Sequence, residues 1–287
     1  MKIQEQAPAK INLALNILGR RTDGYHELRM VMQSVSLCDT VTVEETGTGF
    51  TLLADGFTVP AGKSSLEQQA VEAFFAAVGR PMPPLTVHLE KTTPAYAGLG
   101  GGSADVAALL RCLRRQYAPE MPVEQLRAIG LTVGSDMPFC VSGGTALAEG
   151  RGERLTALPA LPDCWIVLCK PEFGIPTPAL FALADAGTPK NRPDINGMIR
   201  ALSAGDLDGV AARLCNVFEE FLPEEYHEVF RIKNRLLELG ALNAAMSGSG
   251  PTVFGIFREK TAAKAALTAL KQRYPQTYLE KPVGELV

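Results

Sequence analysis

The sequence predicts an α+β protein of two domains, and three observations carry that expectation. Period-two alternation and helix-period stripes follow one another in mixed order, without the strict strand–helix repeat of a doubly wound parallel sheet. Hydrophobic residues make up 46% of the 287 positions, enough to build a real core. The chain is also longer than one typical domain, and the proline-rich stretch LPALPD begins at residue 158. The expected division is therefore 1–157 and 158–287.

In the first half, Ile11, Leu13, Leu15 and Ile17 alternate and are expected on one strand face. LRMVMQSVSL, TVTVEE and FTLLA read as further strands, with Asp-, Thr- and Gly-rich turns between them. Ser64 or Ser65 can cap a helix over LEQQAVEAFFAAV, which Gly79 and Pro81 end. PLTVHLEK is another strand, and Pro122 opens the helix VEQLRAIGL. Two short strands then carry the chain to about Gly150. In the second half CWIVLCK is a strand. Helices are expected after Pro178, over Asn196–Leu202, over Gly209–Phe221 and over Glu224–Leu239. AAMSGSG and PTVFGIF read as strand, turn and strand, and Thr261–Tyr274 as a closing helix.

Composition narrows the function. A net charge of -3 and a pI near 5.8 argue against a general nucleic-acid binder. Six cysteines form no CxxC pair, and three histidines offer no metal cluster. Cys112 and Cys164 lie in apolar runs, as buried, reduced thiols of a cytoplasmic protein would. INLALNIL is interrupted by asparagines and followed by Arg20 and Arg21, unlike a signal peptide. Uninterrupted apolar runs fall far short of the roughly 18 residues that span a bilayer, so no membrane partner is expected.

The stretch TPAYAGLGGGSADVAALLRCL concentrates the chemistry. Four glycines occupy the five positions from Gly98 to Gly102, directly before a helix whose stripe is Val106, Leu110, Leu113 and Tyr117. Ser103 is expected as its N-cap, and Asp105 is expected to turn aside. A helix N-terminus presents unpaired amides and the positive end of the macrodipole, and glycines let an anion approach them. Together these predict a phosphate cradle. The loop follows several strands, so the dinucleotide-binding fingerprint fits poorly. GFTVPAGKS at 56–64 mimics a Walker A loop but has five residues between its glycines, where four are required.

Three ordered stretches, PAKINL at 8–13, PAYAGLGGGSA at 94–104 and SGSGPTVFGIF at 247–257, resemble the motifs of small-metabolite kinases. That superfamily includes galactokinase, homoserine kinase and mevalonate kinase. PAKINL followed by DGYH, with GLGGGSADVAALL and GSDMPF, is most similar to the 4-diphosphocytidyl-2-C-methyl-D-erythritol kinases of non-mevalonate isoprenoid biosynthesis. The resemblance implies an N-terminal ATP-binding domain of the ribosomal-S5-like type and a C-terminal α+β substrate domain, with the active site in the cleft between. It also implies transfer of the ATP γ-phosphoryl group to the 2-hydroxyl of the cytidyl-linked substrate, with Mg2+, and it names no metal ligand in this chain.

Site residues follow from the same resemblance. Asp136 is the expected base for the attacking hydroxyl, and Lys10 its electrostatic partner. On residue type alone they are a turn aspartate and a strand-end lysine. Pro94, Gly98, Leu99, Gly100, Gly101, Gly102, Ser103 and Ala104 are the expected ATP loop. Ser65 stands where the family has an adenine-binding asparagine. Asn12, Tyr25, His26, Thr177 and Phe181 are expected at the substrate, with Phe181 stacking on cytosine; the plainer reading of Phe181 is a core aromatic. Gly248, Ser249, Gly250 and Thr252 are expected to support the site. The competing readings are a homoserine or mevalonate kinase of the same superfamily, or a nucleotide-binding regulator without catalysis. A regulator would have lost Lys10, Asp136 or the glycines, and this chain keeps them all.

Overall fold

The computed structural model describes residues 2–55, 57–58 and 65–287, so most of the GFTVPAGKS stretch, and Ser64, lie outside the described residues. Strands β1 (Lys2–Arg20) and β2 (His26–Glu44) form a long antiparallel pair, in register from Lys2 opposite Glu44 to Arg20 opposite His26. LRMVMQSVSL and TVTVEE are thus one strand and not two. Asp39 makes no turn there. It is buried within β2, where its carboxylate accepts the amides of Thr92 and Thr93 at 2.5 and 2.7 Å. The alternation in β1 also breaks. A bulge between Asn12 and Ala14 puts Ile11 and Leu13 in one apolar cluster and Leu15 in the other. One inserted residue exchanges the faces of everything beyond it.

Strands β3 (Phe50–Ala54), β4 (Phe57–Thr58) and β5 (Leu85–Glu90) extend this sheet, in the order β4-β3-β5-β2-β1. Helix α1 (Leu66–Val78) is capped by Ser65, whose hydroxyl accepts the Gln68 amide at 3.1 Å, and stops at Gly79 with φ 65°. Helices α2 (Gly101–Tyr117), α3 (Val123–Val133) and α4 (Met137–Ser142) pack with α1 beside β1 and β2. Helix α4 lies in a stretch where two short strands are expected to carry the chain to about Gly150. Six residues are too few to show a helical period, and Pro138 suits a first helical turn. Strands β6 (Thr145–Gly150) and β7 (Arg154–Ala157) follow, β6 pairing with β2 over Leu28–Gln33.

Strand β8 (Trp165–Cys169) opens a second sheet, and helices α5 (Thr177–Asp185), α6 (Ile195–Ser203) and α7 (Leu207–Ala211) come next. The helix expected over Gly209–Phe221 is broken. Strand β9 (Cys215–Asn216) pairs in parallel with β1, and a 3-10 turn covers Val217–Phe221. Asn216 breaks it, because its side chain accepts the Phe218 amide at 3.0 Å and donates to Met246 and Gly248 carbonyls at 2.8 Å. A second 3-10 turn, Glu224–Tyr226, precedes α8 (Glu228–Glu238). Strands β10 (Asn243–Met246) and β11 (Val253–Phe257), helix α9 (Lys260–Lys271), and strands β12 (Thr277–Glu280) and β13 (Pro282–Val283) complete the chain.

The second sheet has the order β10-β11-β8-β12, while β13 returns to pair with β2 at Ser34 and Val35. The core is likewise shared along the sequence. One cluster joins Ile11, Leu13 and Val31 to Ile166 and Phe254, and the other joins Leu15 and Met32 to Val217 and Phe218. Four cysteines are buried (Cys112, Cys140, Cys164 and Cys169), and burial pushes each thiol up to about 12. Among the described residues no helix is long and apolar enough to cross a membrane.

Candidate active site

A cleft of about 1100 Å³ opens where β1, the glycine loop, the start of α4, α5 and the turn after β10 meet. Lys10 and Asn12 are two apart on β1, so both point to this side. The Lys10 ammonium donates to Asn12 Oδ1 at 2.8 Å and lies 3.5 Å from Asp136 Oδ2. Its side chain is 6% exposed, against 35% for Asp136. A nearly buried cation therefore faces a carboxylate that solvent or substrate can reach. The Asn12 amide in turn donates to Met30 Sδ at 3.4 Å, which fixes the side chain's orientation.

The glycine loop is stitched to this pair. Lys10 donates its backbone amide to Leu99 O at 2.9 Å. Gly98 and Gly100 hold φ of 72° and 67°, a region where a Cβ is costly. A Cβ on Gly98 would sit 2.2 Å from Ser247 O, and one on Gly100 would sit 3.0 Å from Lys10 Cγ. Helix α2 begins at Gly101 with Gly100 as N-cap, so Ser103 is not the cap but the third helical residue. The sequence misplaced it because serine is a common capping type, while a left-handed Gly100 starts the helix three residues earlier. The first helical bond is Ala104 N to Gly100 O at 2.8 Å, leaving the amides of Gly101, Gly102 and Ser103 ahead of the ladder. Among the described residues, nothing beyond its chain neighbours and its own helix backbone lies within 4 Å of a Cβ built on Gly102. That is open space at a helix N-terminus, where an anion is favoured.

Pro94, Leu99 and Ala104 are buried, so only their backbones can serve a ligand. Ser65 is the α1 cap and does not line the cleft. The turn of the third motif presses on the first two. Ser247 Oγ donates to Gly98 O at 2.9 Å, and Thr252 N donates to Ala97 O at 3.3 Å. Gly248 has φ 55°, and a Cβ there would fall 3.2 Å from the Lys10 ammonium. Gly250 and Ser249 line the cleft, Ser249 sharing a hydrogen bond of 2.7 Å with Thr177. Thr252 is buried with an unpartnered hydroxyl.

At the other end of the cleft Tyr25 is 51% exposed, with the Arg151 guanidinium 4.6 Å above its ring. The His26 imidazole lies flat on Phe181, centroids 4.3 Å apart at 17°, and Phe218 meets Phe181 edge-on at 4.9 Å. One face of Phe181 is therefore covered by His26. His26 Nε2 is 2.7 Å from Asp185 Oδ1.

Several participants escaped the sequence reading. Arg151 and Asp185 had no motif around them, and only the fold brings them to the cleft. A second group lies behind the glycine loop, where the Lys91 ammonium is hydrogen-bonded to both Asp39 and Asp105. Asp105 thus turns aside, and burial pushes its carboxyl up to about 7, with Lys91 opposing the shift and Asp39 adding to it. Lys91 is raised, because the two carboxylates outweigh its own burial. Two buried acids sharing one half-buried cation had no signal in the sequence, since the residues are separated along it.

The comparisons with known proteins agree with this geometry. The GHMP kinases N terminal domain matches residues 65–144, and the GHMP kinases C terminal family matches 198–276. The 4-diphosphocytidyl-2-C-methyl-D-erythritol kinase of Moorella thermoacetica is 41% identical over 96% of this chain and 97% of its own length. That of Clostridium kluyveri is 35% identical over 97% and 99%. A crystal structure of 4-(cytidine 5'-diphospho)-2C-methyl-D-erythritol kinase superimposes with a TM-score of 0.82 at 32% identity, covering 98% of this chain and 100% of that one. A homoserine kinase from Cytophaga hutchinsonii reaches a TM-score of 0.76 at 17% identity, over 99% of this chain and 95% of that one, which is a likeness of fold. On full-length identity and on a cleft that assembles all three motifs, the chain belongs to the GHMP kinases and, within them, to the 4-diphosphocytidyl-2-C-methyl-D-erythritol kinase family.

Proposed function

We propose that this protein transfers the γ-phosphoryl group of ATP to the 2-hydroxyl of 4-diphosphocytidyl-2-C-methyl-D-erythritol. The observation that carries the reading is Lys10, 3.5 Å from Asp136, tied through its backbone to a glycine loop that ends in free helix amides. The amides of Gly101, Gly102 and Ser103 would hold the phosphates, with Pro94, Gly98, Leu99, Gly100 and Ala104 shaping the loop. The acceptor hydroxyl would give its proton to the Asp136 carboxylate as it attacks phosphorus. Lys10 would hold that carboxylate in place and offset charge on the transferring group. Asn12, Tyr25, His26, Thr177 and Phe181 would seat the substrate, and Gly248, Ser249, Gly250 and Thr252 would support Lys10 and the loop.

Among the described residues no cluster of three His, Cys, Asp or Glu could cage a metal. Mg2+ on a nucleotide needs no such cage, because phosphates and waters supply most of its ligands. The Ser103 hydroxyl in the first turn of α2 is a fitting oxygen donor for it. When bound, the ion neutralises phosphate charge. We assign residues 1–157 to an N-terminal ATP-binding domain, which also supplies Asn12, Tyr25 and His26 to the substrate, and 158–287 to a C-terminal substrate domain, with the cleft between them. The buried free thiols suit a reducing compartment such as the cytoplasm.

ATP consumption by the purified protein, measured with the cytidyl substrate beside homoserine, mevalonate and galactose, tests the reading. Turnover is expected with the cytidyl substrate alone. Turnover of only another alcohol in that panel would overturn it.

A further inference from the structure

We infer that Arg111 is a positioning residue for the phosphoryl transfer: it ties β1 to α4 and so sets the gap between Lys10 and Asp136. The inference rests on the reading above, in which that pair carries the chemistry.

Lys10 and Asp136 sit on different elements, so their separation of 3.5 Å depends on how those elements are held together. Lys10 belongs to β1, and Asp136 is the N-cap of α4. Arg111 lies on a third element, α2, and its side chain reaches both of the others. One terminal nitrogen donates to Cys140 O at 2.8 Å and to Val141 O at 3.4 Å, in the last turn of α4. The second donates to Gln6 O at 2.7 Å, on β1 and four residues before Lys10.

The last four carbonyls of a helix lack partners further along it. In α4, Phe139 O accepts the Gly143 amide at 2.7 Å and Ser142 O accepts the Leu286 amide at 2.8 Å. Arg111 serves the two that remain. A cap alone needs no charge, yet Arg111 is a cation only 5% exposed, with no carboxylate partner among the described residues. Burial pulls its guanidinium down to about 10, so it stays charged at neutral pH. Burying such a charge is costly, and a neutral side chain could have met the same carbonyls. What the planar fork adds is a fixed span, with one nitrogen held on each element. Helix α4 has six residues and a rise of about 9 Å, so a tilt of about 6° moves Asp136 by about 1 Å. A misplacement of that size can cost about 10²-fold in rate.

The test is a mutant cycle. Arg111→Met and Arg111→Lys are made alone, with Asp136→Asn, and with Lys10→Ala, and rates are expressed per folded molecule, counted by calorimetry with ADP. Arg111→Met should lower kcat at least about tenfold, while the KM values for ATP and the cytidyl substrate change less than about threefold. Arg111→Lys, whose single ammonium can hold one element but not both, should fall between Arg111→Met and the wild type. In the Asp136→Asn and Lys10→Ala backgrounds Arg111→Met should cost less than about threefold, because the pair it aligns is already broken. An arginine that only stabilises the fold would lower the melting temperature and the folded fraction without this pattern. An unchanged kcat in folded Arg111→Met, or an equal loss in all three backgrounds, overturns the inference. Should Arg111→Met not fold, Arg111→Lys runs the same cycle, and a loss that is absent or equal in every background overturns it. If the protein turns over another alcohol of the panel and not the cytidyl one, the proposed function fails, while the cycle read with that alcohol still decides Arg111. Turnover of none of them overturns both.

Discussion

At the scale of single residues, the site joins one nearly buried cation to one accessible carboxylate. Asp136→Asn keeps the shape and reach of the side chain but cannot accept a proton, so turnover should fall by roughly 10²–10⁴-fold. Calorimetry with ADP and the cytidyl substrate should show both still binding. Lys10→Ala should be severely slowed as well, and the double variant should lose less than the product of the two, because both serve one transfer. Near-normal turnover in Asp136→Asn would reduce that residue to a positioning group. Behind the loop, Asp105 makes a prediction of its own. Its folded pKa, pushed up to about 7 mainly by burial, lies above the unfolded value of 3.8. The native state therefore binds the extra proton between those values, and stability falls as pH rises through that window. Asp105→Asn mimics the protonated acid, so its melting temperature relative to wild type should be more favourable at pH 8 than at pH 5. A difference independent of pH would mean the carboxyl is ionised throughout. Lys10 and Asp136 were legible in the sequence because short motifs surround them. Asp39, Lys91 and Asp105 were not, since their coupling arises only when β2 and α2 are packed around Lys91.

At the scale of elements, the start of α2 carries the phosphate argument. Positive φ falls at Gly98 and Gly100, so a side chain at Gly101 meets no left-handed backbone. Gly101→Val should act by crowding Thr93, whose Cγ2 is 3.0 Å from the new Cβ, and should weaken ATP binding in a folded protein. Gly100→Ala should act on chemistry too, because its Cβ meets Lys10 Cγ and Cε at 3.0 and 3.1 Å. The left-handed backbone there adds roughly 1–2 kcal/mol of strain. Thermal unfolding should show a modest loss, and kcat should fall further than that loss explains. An unchanged kcat would separate the loop from the lysine. Helix α1 and a serine cap at 64 or 65 could be read directly, because capping and periodicity are local, and Ser65 is the cap. The break at Asn216 and the bulge in β1 could not, because each is set by partners far along the chain.

At the scale of the whole molecule, the mixed order of elements was readable, but the closure of the chain was not. Strand β13 is only two residues long, too short for any periodic signal, yet it returns the C-terminal end to β2. The cleft results from this folding together, with the glycine loop at one end and the Tyr25, His26 and Phe181 group at the other. Tyr25→Ala should raise the KM for the cytidyl substrate while leaving the KM for ATP nearly unchanged, since stacking on a base is worth about 1–3 kcal/mol. Equal changes in both constants would place Tyr25 in the common framework of the cleft. The most direct test of the central claim is phosphorus NMR of the wild-type protein with ATP, magnesium and the cytidyl substrate. The account predicts ADP together with one new phosphomonoester resonance on the 2-oxygen of the substrate, its diphosphate left intact. ADP released with no phosphomonoester, or a phosphate placed on a different hydroxyl, would contradict it.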